Sequence, residues 1–559
     1  MATLEAVRDS LVGRDAVLET PYGRRPLLYA DYGASGRASA LVDARLAAHD
    51  ALYANPHNED SATGHAATAA LHAAVARIKS ALGADDRHAL IACGSGATAG
   101  VHRLQEILGV AMPPATRAFI DQMLGQALDD AARGAVLDRI AAQRPVVFIG
   151  PYEHHSNELS WRESLAEIVP VELGEDHQID FDDLAAKLTD PRFKGRRKIG
   201  AFSAASNVTG VKTDVARLAR LLHANGAILA LDCAASAPYL PIDVSGGGDR
   251  EARVDAVYFS PHKMLGGPGA CGLLLIDKAL YRSDLAPSCC GGGTVRYVTP
   301  DDHDFIEDVE ARERAGTPGL LQLMRAAEAL DLLGEVGWAQ IEAVEQGHLA
   351  AALEAWGGTQ GVELYGPAAA QARIGLVSFN LRTEAGRRLH PKFVARLLND
   401  LFGVQARAGC SCAGPYGHRL LDLGDRLTAA YRDAVNAGLS GLRPGWVRVS
   451  LHWSMTEAER DYLIEAVRFL ARHGERFLAA YRFDPVSGAW TRRDGVSGSR
   501  LVASEGGAVL RPYVLGALER IVELLPPSNG AAAVLPARFA VLDPIAGLEF
   551  EPASLTAAE

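Results

Sequence analysis

The sequence predicts an α/β protein, with a mostly parallel seven-stranded sheet covered by helices on both faces and a smaller α+β domain after it. Three observations predict this. Short apolar runs at 88–93, 145–149, 168–172, 198–203, 227–232, 254–259 and 271–276 alternate with segments of helical periodicity, and strands separated by helices pair in parallel with both faces buried. From about Leu320 the pattern changes to a long helix followed by fewer strands, in a chain of 559 residues that is too long for one core. The polar residues that stand out sit just after the apolar runs, where ligands bind in parallel sheets.

Taken in order, residues 1–24 read as a helix and a turn, and 27–31 as a short strand entering a Gly-Ala-Ser-Gly turn. Helical patterns cover 38–55 and 61–82. The buried strand 88–93 runs into Gly94-Ser-Gly-Ala-Thr-Ala-Gly100 and a helix. Residues 112–144 form an Ala-rich helical insertion. Strand 145–149 leads through a loop to a helix ending at Trp161. Strand 168–172, helix 181–188, strand 198–203 and helix 214–225 follow, and the strands at 227–232, 254–259 and 271–276 close the series. The second part holds a helix at 321–336, a strand at 374–380, a helix at 391–401, a strand at 446–451 and a helix at 456–473. After it come turns, a helix at 514–525 and a Pro/Ala-rich tail. The divisions expected are an N-terminal segment 1–24, a large domain 25–320, a small domain 321–475 and an extension 476–559 with no assigned role.

The net charge of −12 argues against a general binder of nucleic acid or of anionic membranes, while leaving room for a local basic pocket. Seven cysteines, two of them adjacent (Cys289, Cys290), do not make a disulfide framework. The N-terminus lacks an apolar signal core, and no run of about 18 apolar residues is present to span a bilayer. A reducing cytoplasm with free thiols is the expectation.

The loops around Gly94, His154, Asn207, Asp232 and Lys263 all follow predicted strands and are expected to meet in one pocket. Lys263 lies in Tyr258-Phe-Ser-Pro-His-Lys-Met-Leu-Gly-Gly-Pro-Gly269, at the end of a buried strand, where desolvation favours a neutral amine able to form a Schiff base with an aldehyde. Asp232 ends the apolar run Ala227-Ile-Leu-Ala-Leu-Asp232. A carboxylate to keep a pyridine nitrogen protonated and a lysine to hold an aldehyde together point to pyridoxal phosphate.

With these motifs in order, the chain resembles the class V, fold type I pyridoxal-phosphate enzymes over roughly residues 25–475, and most of all their cysteine desulfurase and selenocysteine lyase branch. The resemblance implies that Gly96, Ala97 and Thr98, at a helix start, take the cofactor phosphate together with Ser260 and His262. It puts His154, in Tyr152-Glu-His-His-Ser-Asn157, over the pyridine ring as a proton carrier, with Glu153 and His155 supporting the loop. Asn207, in Ser206-Asn-Val-Thr-Gly210, would lie near the ring oxygen and the substrate carboxylate. Asp232 would pair with the ring nitrogen and Lys263 would carry the cofactor. Thr317, in Gly316-Thr-Pro318, would reach the phosphate of a neighbouring subunit, which implies a homodimer. Arg448 would grip the substrate carboxylate.

In Arg407-Ala-Gly-Cys-Ser-Cys-Ala-Gly-Pro415, Cys412 matches the branch's nucleophile and Arg407 a substrate-binding arginine. Flanking glycines and the nearby Arg407 and His418 argue for an exposed thiol of lowered pKa. Cys410 is either a plain core thiol or a relay for a persulfide, and a metal site is not expected because no other ligand pair has suitable spacing. Ala235 departs from the branch, which has a glutamine there to bond the ring hydroxyl. The implied activity is removal of sulfur or selenium from L-cysteine or selenocysteine, giving L-alanine through a Cys412 persulfide and passing sulfur to an acceptor protein. The Ala235 departure keeps a class V aminotransferase, an epimerase and a C–S/β-lyase as alternatives.

Overall fold

The computed structural model describes residues 2–502 apart from 59 and 497, and beyond them residues 511, 514, 517–522 and 525. The helix expected at 514–525 therefore lies partly, and the Pro/Ala-rich tail wholly, outside the described residues. The chain forms two compact units. The first comprises residues 1–12, 34–206 and 211–342, and the second comprises 13–33, 207–210 and 343–559.

The first unit is built on seven strands: β1 (His88–Cys93), β2 (Val146–Ile149), β3 (Glu167–Pro170), β4 (Lys198–Ser203), β5 (Ala227–Asp232), β6 (Ala256–Phe259) and β7 (Gly272–Asp277). Their order across the sheet is β1-β7-β6-β5-β4-β2-β3. Strands β3, β2, β4, β5 and β6 pair in parallel, and β7 runs antiparallel to both β6 and β1. The exception has a physical cause. Parallel neighbours need a crossover that carries the chain back along the sheet, commonly a helix, whereas the Ser260–Cys271 loop between β6 and β7 holds only a short 3₁₀ turn. Ile91, Val147, Ile149, Ile199, Tyr258 and Leu274 from the strands pack with Val101 and Leu104 of the helix α1 (Ala97–Ile107) and with Trp161 in one buried core.

The second unit centres on a four-stranded antiparallel sheet. Its strands are β8 (Val362–Tyr365), β9 (Leu376–Leu381), β10 (Arg407–Gly409) and β11 (Trp446–Ser450), in the order β8-β9-β11-β10. The helices α2 (Pro391–Phe402) and α3 (Glu457–His473) pack together in this unit. A Thr456–Glu459 capping box starts α3, and Gly403, in the left-handed conformation, ends α2. The short strand Leu28–Tyr29 pairs in parallel with Val404–Gln405.

Residues 1–24 contain more than the expected helix and turn. After the helix Leu4–Asp9 comes a hairpin of Val17–Thr20 with Gly23–Pro26. The outer strand of that hairpin reads Gly-Arg-Arg-Pro, without apolar alternation, and Val17–Thr20 also pairs with Arg500–Val502. The insertion forms two helices, Pro114–Ala127 and Asp130–Gln143, neither of which buries a residue. Among the described residues, no helix is long and apolar enough to cross a membrane.

Candidate active site

In the first unit the strand ends set out a polar cluster. After β1, the Gly94–Gly96 turn opens α1, and the Ala97 N–H donates to Ser260 Oγ at 2.8 Å. His262 Nδ1 lies 2.8 Å from the Ser95 carbonyl, so it carries the ring proton. Burial lowers the His262 pKa, favouring the neutral ring. A Cβ on Gly96 would fall 2.8 Å from Ser260 Oγ and 2.9 Å from His262 Cε1, so only glycine lets these loops approach so closely. Thr98 Oγ1 meets Ser156 Oγ at 2.7 Å. Helix-start N–H groups and the hydroxyls of Ser260 and Thr98 make a donor set suited to a phosphate, while the neutral His262, with its proton on Nδ1 held by Ser95, packs beside them and presents Nε2 as an acceptor.

His154 caps the short turn His155–Asn157 and accepts the Ser156 N–H at Nδ1, 3.1 Å away, which places the proton of the neutral ring on Nε2. Lys263 ends the Pro261–Lys263 turn directly after β6 and is half-buried. Asp232 ends the neighbouring β5 and is buried, and its Oδ1 accepts the Ala234 N–H at 2.8 Å. Burial raises its pKa, and the Ala234 N–H and the Lys263 charge offset only part of that. A buried carboxylate held this way fits a ligand that brings its own cationic N–H. Ala235 is buried beside it and has no side-chain donor to offer. Thr317 lies on an exposed turn, where Asn55 Nδ2 donates to its Oγ1 at 3.3 Å.

Beneath the His154 loop lies a polar network that sequence reasoning passed over as loop support. Glu153 is buried and accepts from Ser203 N–H (2.9 Å), Ser203 Oγ (2.6 Å) and Asn157 Nδ2 (2.7 Å). Asn157 Oδ1 in turn accepts from Trp161 Nε1 and the Tyr258 hydroxyl. Burial outweighs these donors and pushes the Glu153 pKa up to about 8.

The second unit carries the remaining expected residues. Arg407 on β10 and Arg448 on β11 are directly opposed across the sheet. Arg448 is buried, and its Nη1 donates to the Asn207 carbonyl at 2.8 Å. Asp31, which sequence reasoning did not single out, accepts from both arginines: Arg448 Nη2 at 3.2 Å and Arg407 Nη2 at 3.0 Å. Asn207 Nδ2 donates to the Ser411 carbonyl at 2.7 Å, while its buried Oδ1 has no hydrogen-bond partner among the described residues.

That Ser411 carbonyl belongs to a tight turn closed by Ala413 N–H to Cys410 O at 3.1 Å. Ser411 and Cys412 at its centre have φ of 52° and 55°, the left-handed region that non-glycine residues seldom occupy. Trp446 Nε1 holds Ser411 Oγ at 3.1 Å. The Cys412 thiol is exposed and Cys410 is half-buried. His418, expected to act on the thiol, has its Nδ1 3.2 Å from Thr428 Oγ1. Among the described residues, no group of three His, Cys, Asp or Glu is placed to hold a metal.

Comparison with known proteins adds the family. The aminotransferase class-V profile matches residues 125–463. A probable cysteine desulfurase of Halalkalibacterium halodurans is 33% identical over 273 residues, covering 48% of this chain and 62% of the relative. A second from Mycobacterium leprae is 33% identical over 279 residues, covering 49% and 62%. The matched stretch thus spans less than two thirds of these relatives. Among solved structures, the cysteine desulfurase of Thermococcus onnurineus aligns with a TM-score of 0.63 at 21% identity, covering 84% of this chain and 99% of that one. CsdA, the cysteine desulfurase of Escherichia coli, aligns at 0.59 and 21%, covering 84% and 98%. The fold is therefore that of fold type I enzymes, and the chain belongs to the aminotransferase class-V family.

Proposed function

We propose that the protein is a pyridoxal 5'-phosphate-dependent, cysteine desulfurase-like enzyme that removes sulfur from L-cysteine, or selenium from selenocysteine, and releases L-alanine. The observation that carries this reading is the turn at 410–413, where an exposed Cys412 thiol follows Ser411, whose carbonyl is held by Asn207 and whose hydroxyl is held by Trp446, in the unit that also holds the Arg448 guanidinium. In this reading Gly96, Ala97, Thr98, Ser260 and His262 hold the cofactor phosphate. Asp232 would pair with the cofactor's ring nitrogen, His154 would serve the ring and Lys263 would anchor the cofactor. When bound, pyridoxal phosphate supplies an electron sink for the bonds broken at the substrate's α- and β-carbons.

The chain's own groups do the rest. Arg448 and Arg407 grip the substrate carboxylate, and Asn207, whose carbonyl holds Arg448, takes part in substrate binding through its open Oδ1 acceptor. The Lys263 amine takes the α-proton, and His154 manages the proton at the substrate sulfur. Cys412 thiolate attacks that sulfur and keeps it as a persulfide for an acceptor protein. The reading carries with it a homodimer, with Thr317 serving the neighbouring subunit, and a cytoplasmic location, which seven free thiols support.

Purified enzyme given L-cysteine and a reductant is expected to form alanine and sulfide in equal amounts. Cys412→Ala is expected to keep the cofactor's absorbance and lose the persulfide. The buried Ala235, with no donor for the ring hydroxyl, is the one observation that favours a second reading as a C–S/β-lyase, an epimerase or an aminotransferase. Pyruvate with ammonia, a racemised amino acid, or a pyridoxamine form would replace the alanine in those cases.

A further inference from the structure

Asp31 stands where two cations would otherwise face each other. Arg407 and Arg448 are direct cross-strand partners, and like charges so placed repel. The Asp31 carboxylate resolves this by bonding Arg448 through Oδ1 and Arg407 through Oδ2, at 3.2 and 3.0 Å. Its position is fixed by backbone on both sides. Ala30 N–H donates to Gln405 O at 3.0 Å, Ser450 N–H donates to Ala30 O at 2.8 Å, and Gly33 N–H donates to Ser450 Oγ at 3.1 Å. A Cβ on Gly33 would lie 2.9 Å from Leu376 Cδ2 and 3.0 Å from Arg448 Cζ, so a side chain there would push on the Arg448 guanidinium. The Asp31 side chain is 16% exposed, Arg448 4% and Arg407 51%.

The cluster therefore carries two positive charges and one negative, a net charge of one. Next to it, the buried Asn207 Oδ1 is an acceptor without a donor among the described residues, on the residue whose carbonyl holds Arg448. One surplus positive charge and one open acceptor match an α-carboxylate and an N–H donor, the two ends every α-amino acid presents. A second carboxylate on the ligand would meet the Asp31 charge with nothing left to neutralise it.

We propose that Asp31 is a specificity-determining residue that sets this site for an amino acid with one carboxylate and an uncharged side chain, and turns away dicarboxylic ones. The proposal rests on the reading that Arg448 and Arg407 take the substrate carboxylate. Asp31→Asn raises the net charge to two, and Asp31→Asn combined with Arg407→Gln returns it to one.

The test measures the affinities of the holoenzyme for L-alanine and L-aspartate by calorimetry, with no turnover required. In Asp31→Asn the aspartate-to-alanine affinity ratio is expected to rise about tenfold, and in the double variant to return to the wild-type value. A folded Asp31→Asn with an unchanged ratio, including equal weakening of both ligands, overturns the proposal and reduces Asp31 to a brace for Arg448. If Asp31→Asn does not fold, Arg407→Gln decides: net charge falls to zero, aspartate affinity is expected to fall more than alanine affinity, and equal falls overturn the proposal. Wild-type enzyme that binds neither ligand would instead remove the carboxylate-grip reading itself, and failure to make alanine from L-cysteine would remove only the desulfurase assignment.

Discussion

Glu153 lies under the His154 loop with its donors supplied by Ser203 and Asn157 and its burial complete enough to lift its pKa to about 8. Its ordinary value is 4.5, so the folded state holds the proton more tightly than the unfolded one. The stabilisation from that proton is fully present below about pH 4.5 and is lost as pH rises through about 8. Glu153→Gln cannot ionise. Between pH 6 and 9 the melting temperature of the wild type is therefore expected to drop by about 2–4 °C more than that of the variant. Parallel pH profiles for the two proteins would show that Glu153 does not titrate in this way. At this scale the sequence was legible where a residue's neighbours are local. Asp232 ends an apolar run and is buried, and Lys263 follows one by four residues and is half-buried, so both placements could be read from the local sequence. Asp31 could not be, because its partners lie 376 and 417 residues away and only the folded sheet brings them to it.

Elements were legible in proportion to how far their own composition specifies them. The strands β1, β4 and β5 are continuous apolar runs and were placed to the residue, and the Ala-rich insertion was read as helical from propensity. The strand β10 was missed because three residues, Arg-Ala-Gly, carry no pattern and are extended only through pairing with β11. The insertion also shows what propensity alone secures. Its two helices bury nothing and leave Phe119, Ile120, Met123, Val136, Leu137 and Ile140 exposed, whereas α1 buries Val101, Leu104 and Ile107. Helices of this length without tertiary packing are marginal in water. Amides of residues 114–143 are expected to exchange with deuterium at least about 100-fold faster than those of Ala97–Ile107. Equal protection in a hydrogen-exchange experiment would mean that something covers this hairpin.

At the scale of the whole molecule, the sequence attached no role to residues 476–559, and for 481–502 the structure provides a physical one. Tyr481–Phe483 and Trp490–Arg492 form a hairpin, and Arg500–Val502 pairs with Val17–Thr20 from the other end of the chain. Trp490 packs at a tilt against Phe393 on α2, ring centroids 4.6 Å apart, and Tyr481 packs edge-on against the same ring. Asp400, fully buried on α2, takes its hydrogen bonds from Arg396 and Asn399 of its own helix and from Tyr481 (2.8 Å) and Ser499 (3.0 Å) of the extension. Nothing in a local window announces this, since the extension's strands are three residues long. Ending the chain after residue 475 would strip Asp400 of two donors and expose the Phe393 face, and a buried carboxylate left short of donors is costly. The truncated chain is expected to be recovered mainly as aggregate or to melt well below the intact one. Tyr481→Phe removes a single donor and keeps the ring, so it should cost about 1–3 kcal/mol in denaturant unfolding of the second unit. A truncation that melts with the intact chain would show that α2 is complete without the hairpin. A silent Tyr481→Phe beside a damaging truncation would place the extension's contribution in ring packing and strand pairing instead of in the Asp400 hydrogen bond.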